Sequence, residues 1–214
     1  MSVLSFVKND PKIDQAVDNL IDQNRFEDAK IKLWSIQTVA AYESLLKKKR
    51  LCGDARRADK MFRPAYRWMV DRMREHGIPM NRKTPIWAWY RYDENHRMPD
   101  LRRGAHLYPG TKGVRLHLNA PRRLVLLSDF NDWHDVLNDW PTTYTEAEWD
   151  RFEKMNPNSK QYRQAKMESW EKIIENNNGV QNRDSYFTAD TSIQAVLPYL
   201  DLSWITKIDY FIAR

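Results

Sequence analysis

A chain of 214 residues, 42% apolar and 30% charged, has the make-up of one globular domain, long enough to bury a core without disulfides or metal. No apolar run approaches the roughly 18–20 residues of a membrane span, and residues 1–14 do not read as a signal peptide, so the expected compartment is the cytoplasm. A net charge of +6 favours anionic partners: nucleic acid, phosphorylated ligands or an acidic protein.

Residues 1–30 read as an appendage. Ile13, Ala16, Val17, Leu20 and Ile21 recur at helical spacing and predict one amphipathic helix over 11–24. Its apolar face would pack on the domain or on a partner such as an antitoxin or chaperone. The main domain is expected over 31–214. Residues 31–37 alternate apolar and polar and predict a strand, with Thr38 as N-cap of a helix over 39–49. Cys52 follows the basic run Lys47-Lys48-Lys49-Arg50, yet no nucleophile signature surrounds it, and it reads as a small buried residue. A long helix is expected over 58–76, with Phe62, Tyr66, Met69 and Met73 on its apolar face and Gly77 at its end. Pro64 either kinks that helix or marks its true first turn. Arg56, Lys60, Arg63, Arg67 and Arg74 fall along another face, which is either a solvated surface or a wall that tracks a nucleic-acid backbone.

An aromatic strand follows over 86–92, then a long loop over 93–112 rich in Pro, Gly and Arg. Strands are expected over 113–119 and 124–128, and a short helix over 131–138. Polar helices are expected over 145–155 and 159–176, the first opening on the capping-box pair Thr145 and Glu148, the second stopped by 176–179. Strands over 191–197 and 206–212, joined by a turn at Pro198, close the chain. Helices cluster while strands are scattered, which predicts an α+β fold with a mixed or antiparallel sheet flanked by helices.

Histidines at 76, 96, 106, 117 and 134 show no ligand spacing and Cys52 has no second cysteine, so no metal site is expected. P-loop, dinucleotide and nucleophile-elbow fingerprints are absent. Nine tryptophans are unusual for this length; some must be core, and the number also fits a site that stacks planar rings.

Four segments, 33–37 (Leu-Trp-Ser-Ile-Gln), 85–89 with 99–102 (Pro-Ile-Trp-Ala-Trp and Pro-Asp-Leu-Arg), 127–134 (Leu-Ser-Asp-Phe-Asn-Asp-Trp-His) and 193–195 (Ile-Gln-Ala), resemble a bacterial domain family of unknown function over most of 31–214. More distantly, the layout resembles the ADP-ribosyltransferase superfamily, particularly toxins that modify nucleic acid. Trp34-Ser35-Ile36-Gln37 stands at the first strand, Ser128-Asp129 at a strand ending in a Ser/Thr-Asp pair, and Gln194 in the strand that bears the catalytic Glu. Two departures stand out: Ser35 replaces a His or Arg, and Gln194 (or Val196, by register) replaces the Glu.

The resemblance implies an ADP-ribosyltransferase-like fold and NAD as substrate. Nicotinamide would stack on Trp34, Trp87 or Trp89, and Ser35 and Gln37 would bond ribose and carboxamide. Arg102 would fork onto the diphosphate, and Gln194 would address the second ribose face. Asp129 would activate the acceptor, with Asp190 the other carboxylate able to replace the missing Glu. RNA or DNA is the expected acceptor, in a bacterial or phage toxin or defence effector. Without the resemblance the same tryptophans read as core, Asp129 as a helix cap and Arg102 as solvated. Gln37 and Gln194, amides in apolar strands, must find buried partners or face a cavity. Two other readings stand beside the transferase: a non-catalytic nucleic-acid-binding module, and an interaction protein docking through helix 11–24.

Overall fold

Alternating side chains make 30–38 a strand, and the computed structural model has β1 there, Lys30–Thr38. It describes residues 29–56, 58–81, 84–92, 98–104, 106–174 and 191–214. The expected helix over 11–24, the stop at 176–179 and Asp190 lie outside the described residues. The other strands are β2 (Arg50–Leu51), β3 (Ile86–Arg91), β4 (Lys112–Pro121), β5 (Leu126–Asp129), β6 (Ile193–Leu197), β7 (Leu200–Asp201) and β8 (Ile205–Ile212). Six of them form one sheet in the order β5-β6-β3-β1-β4-β8, and β2 pairs with β7 separately. Every pairing is antiparallel. The fold is α+β, as clustered helices and scattered strands predict.

Thr38 ends β1 and starts the first helix, α1 (Val39–Lys48), where its Oγ1 accepts from the Ala41 amide at 3.1 Å. Lys49 ends α1 in the left-handed region at φ 62°. The second long helix is shorter than its apolar periodicity suggests. Asp59 caps a 3-10 turn over Lys60–Phe62, and α2 runs Arg63–Glu75 with Pro64 in its first turn. The proline therefore starts the helix and does not kink it, since its missing N–H costs nothing there. Gly77 at φ 73° closes α2 in a Schellman arrangement: Ile78 N donates to Met73 O at 2.9 Å and Gly77 N to Arg74 O at 3.0 Å.

Three helices follow: α3 (Trp133–Leu137), α4 (Glu146–Glu153) and α5 (Lys160–Ser169). Thr145 caps α4 through the Glu148 amide, while the Glu148 carboxylate reaches past Thr145 to the Tyr144 amide at 2.8 Å. The helix expected over 159–176 stops being α-helical at Ser169 and tightens into a 3-10 turn, Trp170–Ile173. Ser169 Oγ donates to Lys166 O and accepts from the Thr142 amide, and Trp170 Nε1 donates to Trp140 O, so side-chain bonds tie this tightened end to a distant segment while the Trp170 backbone amide still reaches Lys166 O.

Two cores flank the sheet. On one face α1, through Tyr42 and Leu45, covers Leu33, Ala88, Leu116, Ala195 and Leu197. On the other, α2 and α3 with Trp170 and Ile173 cover Leu126 and Val196, Trp87 packing at the margin. β6 is buried at every position, which is why it reads as an apolar run interrupted by one amide.

Candidate functional site

Register assembles the site. Ser128 of β5 opposes Gln194 of β6; Gln194 opposes Trp89 of β3; Trp89 opposes Trp34 of β1; Trp34 opposes His117 of β4; His117 opposes Lys207 of β8. One transverse row thus takes one residue from each strand, and opposed residues project to the same face. This is the face that also carries Val196 and α2.

Within the row the chemistry is graded. At the β5–β6 end, Ser128 and Gln194 are buried, and Ser128 Oγ and Gln194 Nε2 have no hydrogen-bond partner. A buried polar atom without a partner costs roughly 1–3 kcal/mol, so two side by side call for an outside partner. In the middle, Trp89 is half-buried, its ring 4.7 Å from Phe130 and 4.8 Å from Tyr92. A register shift between Trp89 and Arg91 bends β3 just past this ring.

Toward β8 the row becomes charged. Trp34 Nε1 donates to His117 Nδ1 at 3.2 Å, and a nitrogen that accepts from an indole N–H carries no proton. The His117 proton is thereby assigned to Nε2, which donates to Asp209 Oδ2 at 2.6 Å. Arg115, itself buried, donates to the same oxygen from Nε at 3.0 Å and Nη2 at 2.6 Å, and Lys207 approaches Oδ1 at 3.0 Å. The hydrogen bond from His117, with those from Arg115 and Lys207, holds the Asp209 carboxyl well below the usual carboxylate range.

The expected site residues divide between the two faces. Trp34, Trp89 and Gln194 share the row, with Trp87 on the same face, its ring 5.0 Å from Trp133. Ser35 and Gln37 lie on the α1 face with Leu33. Ser35 is wholly buried, donates to Trp87 O at 3.0 Å and accepts from Gln37 Nε2 at 2.9 Å. A single pocket holding Trp34, Ser35 and Gln37 is therefore not formed, because successive strand residues point to opposite sides.

Asp129 opposes Ile193, one position out of register with the row. Its Oδ1 accepts the Asn131 and Asp132 amides at 2.7 and 3.0 Å, capping the turn into α3, and burial pushes its carboxyl up. Arg102 is exposed and its guanidinium is forked onto Asp100, with Nη2 to Oδ2 at 2.8 Å. Of the basic stripe, Lys60, Arg63 and Arg67 are exposed. Arg56 precedes the helix and pairs with Asp54, and Arg74 pairs with Asp71.

Sequence reasoning missed His117, Asp209, Arg115 and Lys207. Alternation would have grouped 115 and 117, and 207 and 209, but nothing local joins them across a separation of 92 residues. Among the described residues no group of three or more His, Cys, Asp or Glu could hold a metal ion, and no helix is long and apolar enough to cross a membrane.

Residues 32–206 match the family model of a domain of unknown function, DUF3841. The chain belongs to the DUF3841 family. The DUF3841 match takes in Trp34, Trp89, His117, Ser128 and Gln194, and ends within β8, before Asp209. No curated protein and no solved structure matches the chain.

Proposed function

We propose that this chain is an ADP-ribosyltransferase-like protein that uses NAD and passes ADP-ribose to a nucleic acid, acting as a toxin or defence effector. The observation that carries the reading is the row Trp34–Trp89–Gln194–Ser128 on one face, with its two unpartnered buried polar atoms. NAD combines what such a row would recognise: a planar ring that stacks on indole, a carboxamide, and ribose hydroxyls that take an amide and a hydroxyl as partners. Lys207 at the end of the row and Arg115 two residues along β4 set two positive charges against the one carboxylate of Asp209, a field suited to the diphosphate.

In the reaction, the bond between nicotinamide and ribose C1′ breaks, nicotinamide leaves with the electron pair, and an acceptor oxygen or nitrogen takes the ribosyl cation and loses a proton. Gln194 holds a ribose hydroxyl but supplies no negative charge, so the cation is stabilised only weakly from this position. Asp129 caps a turn, and Asp209 is neutralised by its cations. A slow enzyme is the expected outcome.

One observation favours a second reading, a non-catalytic nucleic-acid binder: an amide stands where a transferase needs a carboxylate, and the cations Lys60, Arg63 and Arg67 are exposed. Incubating the purified chain with labelled NAD and RNA, single-stranded DNA or duplex DNA separates the two. Label transfer lost in both Gln194→Ala and Trp34→Ala supports the transferase. Folded protein that releases no nicotinamide, yet binds nucleic acid less well as salt rises, sinks it in favour of the binder.

A further inference from the structure

β8 ends the sheet: among the described residues it pairs with β4 and with no other strand. An end strand presents a line of backbone N–H and C=O groups able to pair with another chain, and proteins commonly guard such edges with proline, a short strand or a bulge. β8 is eight residues long, contains no proline, and has its only register shift near its start. Its outer part is apolar and open, with Tyr210 66% and Ile212 65% exposed. Both lie on the face that carries α1, where the Tyr210 ring meets Tyr42 edge-on at 6.4 Å and Leu46 is exposed nearby on the helix.

We propose that β8 pairs antiparallel with β8 of a second copy of this chain about a two-fold axis through Ile208, joining two sheets into one. Such a pairing must centre on a single residue, and the charges select which. Centred on Lys207 or on Asp209, it sets like charges directly opposite, which destabilises a sheet. Centred on Thr206 or Tyr210, it leaves both charges unmatched and shortens the overlap. Centred on Ile208, it sets Lys207 of each copy against Asp209 of the other, twice by symmetry, with Thr206 opposite Tyr210 and Ile208 opposite itself. The side chain of Lys207 is 63% exposed, so it is accessible to the second carboxylate. An axis perpendicular to the sheet keeps both α1 helices on one side, with the exposed Tyr210 and Ile212 side chains of both copies between them. The interface is isologous and closes on itself, which stops growth at the dimer. It depends on the sheet and not on the NAD reading.

The register makes the test specific. In the full chain carrying Cys52→Ser, oxidation of Ile208→Cys is expected to give a covalent dimer, because that residue alone meets its own copy. Tyr210→Cys, whose opposite is Thr206, is expected to stay uncrosslinked. In the unmodified protein, sedimentation equilibrium is expected to give twice the chain mass. Lys207→Glu turns both symmetric pairs repulsive and should weaken association by about ten-fold or more, with the circular dichroism spectrum unchanged. A monomer throughout the micromolar range overturns the proposal. So does a dimer that ignores Lys207→Glu and crosslinks at 210 or at neither position.

Discussion

Gln194 concentrates the chemistry of this molecule in one side chain. Buried at the second position of β6 with Nε2 unpartnered, it either meets a ligand group or leaves a donor unpaired at a cost to stability. If the row holds NAD, Gln194→Glu adds the missing charge beside the ribosyl cation. Nicotinamide release is then expected to rise by roughly 100-fold, the low end of what a positioned acid–base group contributes. An unchanged or lower rate in a folded variant would count against the transferase. Asp209 gives a second prediction at this scale. Its carboxyl is held low by His117, Arg115 and Lys207, so the stability it adds is fully present above the unfolded value near ~4 and is lost as pH falls toward the folded one. Asp209→Asn should therefore be clearly less stable than the parent chain at pH 7, with the gap closing below about pH 4. Urea midpoints across that range test it; a gap of constant size would mean the cluster contributes packing rather than charge.

Among the elements, helix ends follow local chemistry. Thr38, Thr145 and Ser159 each cap a helix through the amide three residues on, and Gly77 ends α2 where a left-handed residue is required. Thr38→Ala should lower stability by about 1 kcal/mol, read from denaturant midpoints with an unchanged slope, and Thr38→Ser should recover most of it. The Thr38 and Thr145 caps and the Gly77 stop were legible in the sequence because they lie within three residues of what they serve. The end of α5 was not: there the Ser169 and Trp170 side chains bond to Thr142 and Trp140, about 30 residues away. The split of Trp34 from Ser35 was legible, since alternation alone sends neighbours in a strand to opposite faces.

At the scale of the whole molecule, one sheet serves both cores. β6 gives Ile193, Ala195 and Leu197 to the α1 side and Val196 to the α2 side, and β5 divides Leu127 from Leu126 in the same way. Neither core can come apart without disturbing strands the other needs. Thermal unfolding should therefore be one transition, with tryptophan fluorescence, weighted toward Trp68, Trp133 and Trp170 of the second core, coinciding with far-ultraviolet circular dichroism. Two separated midpoints would show the cores to be independent.

By itself the sequence determined the class of fold, most strands and helix starts, and the family segments, because periodicity, capping and turn chemistry act within a few residues. Tertiary structure decided which strands are neighbours, and so brought Ser128, Gln194, Trp89, Trp34 and His117 into one row and left β8 at an open edge. Sheet order and register arise from contacts between segments far apart in the chain, and a one-residue slip would send every side chain of a strand to the other face.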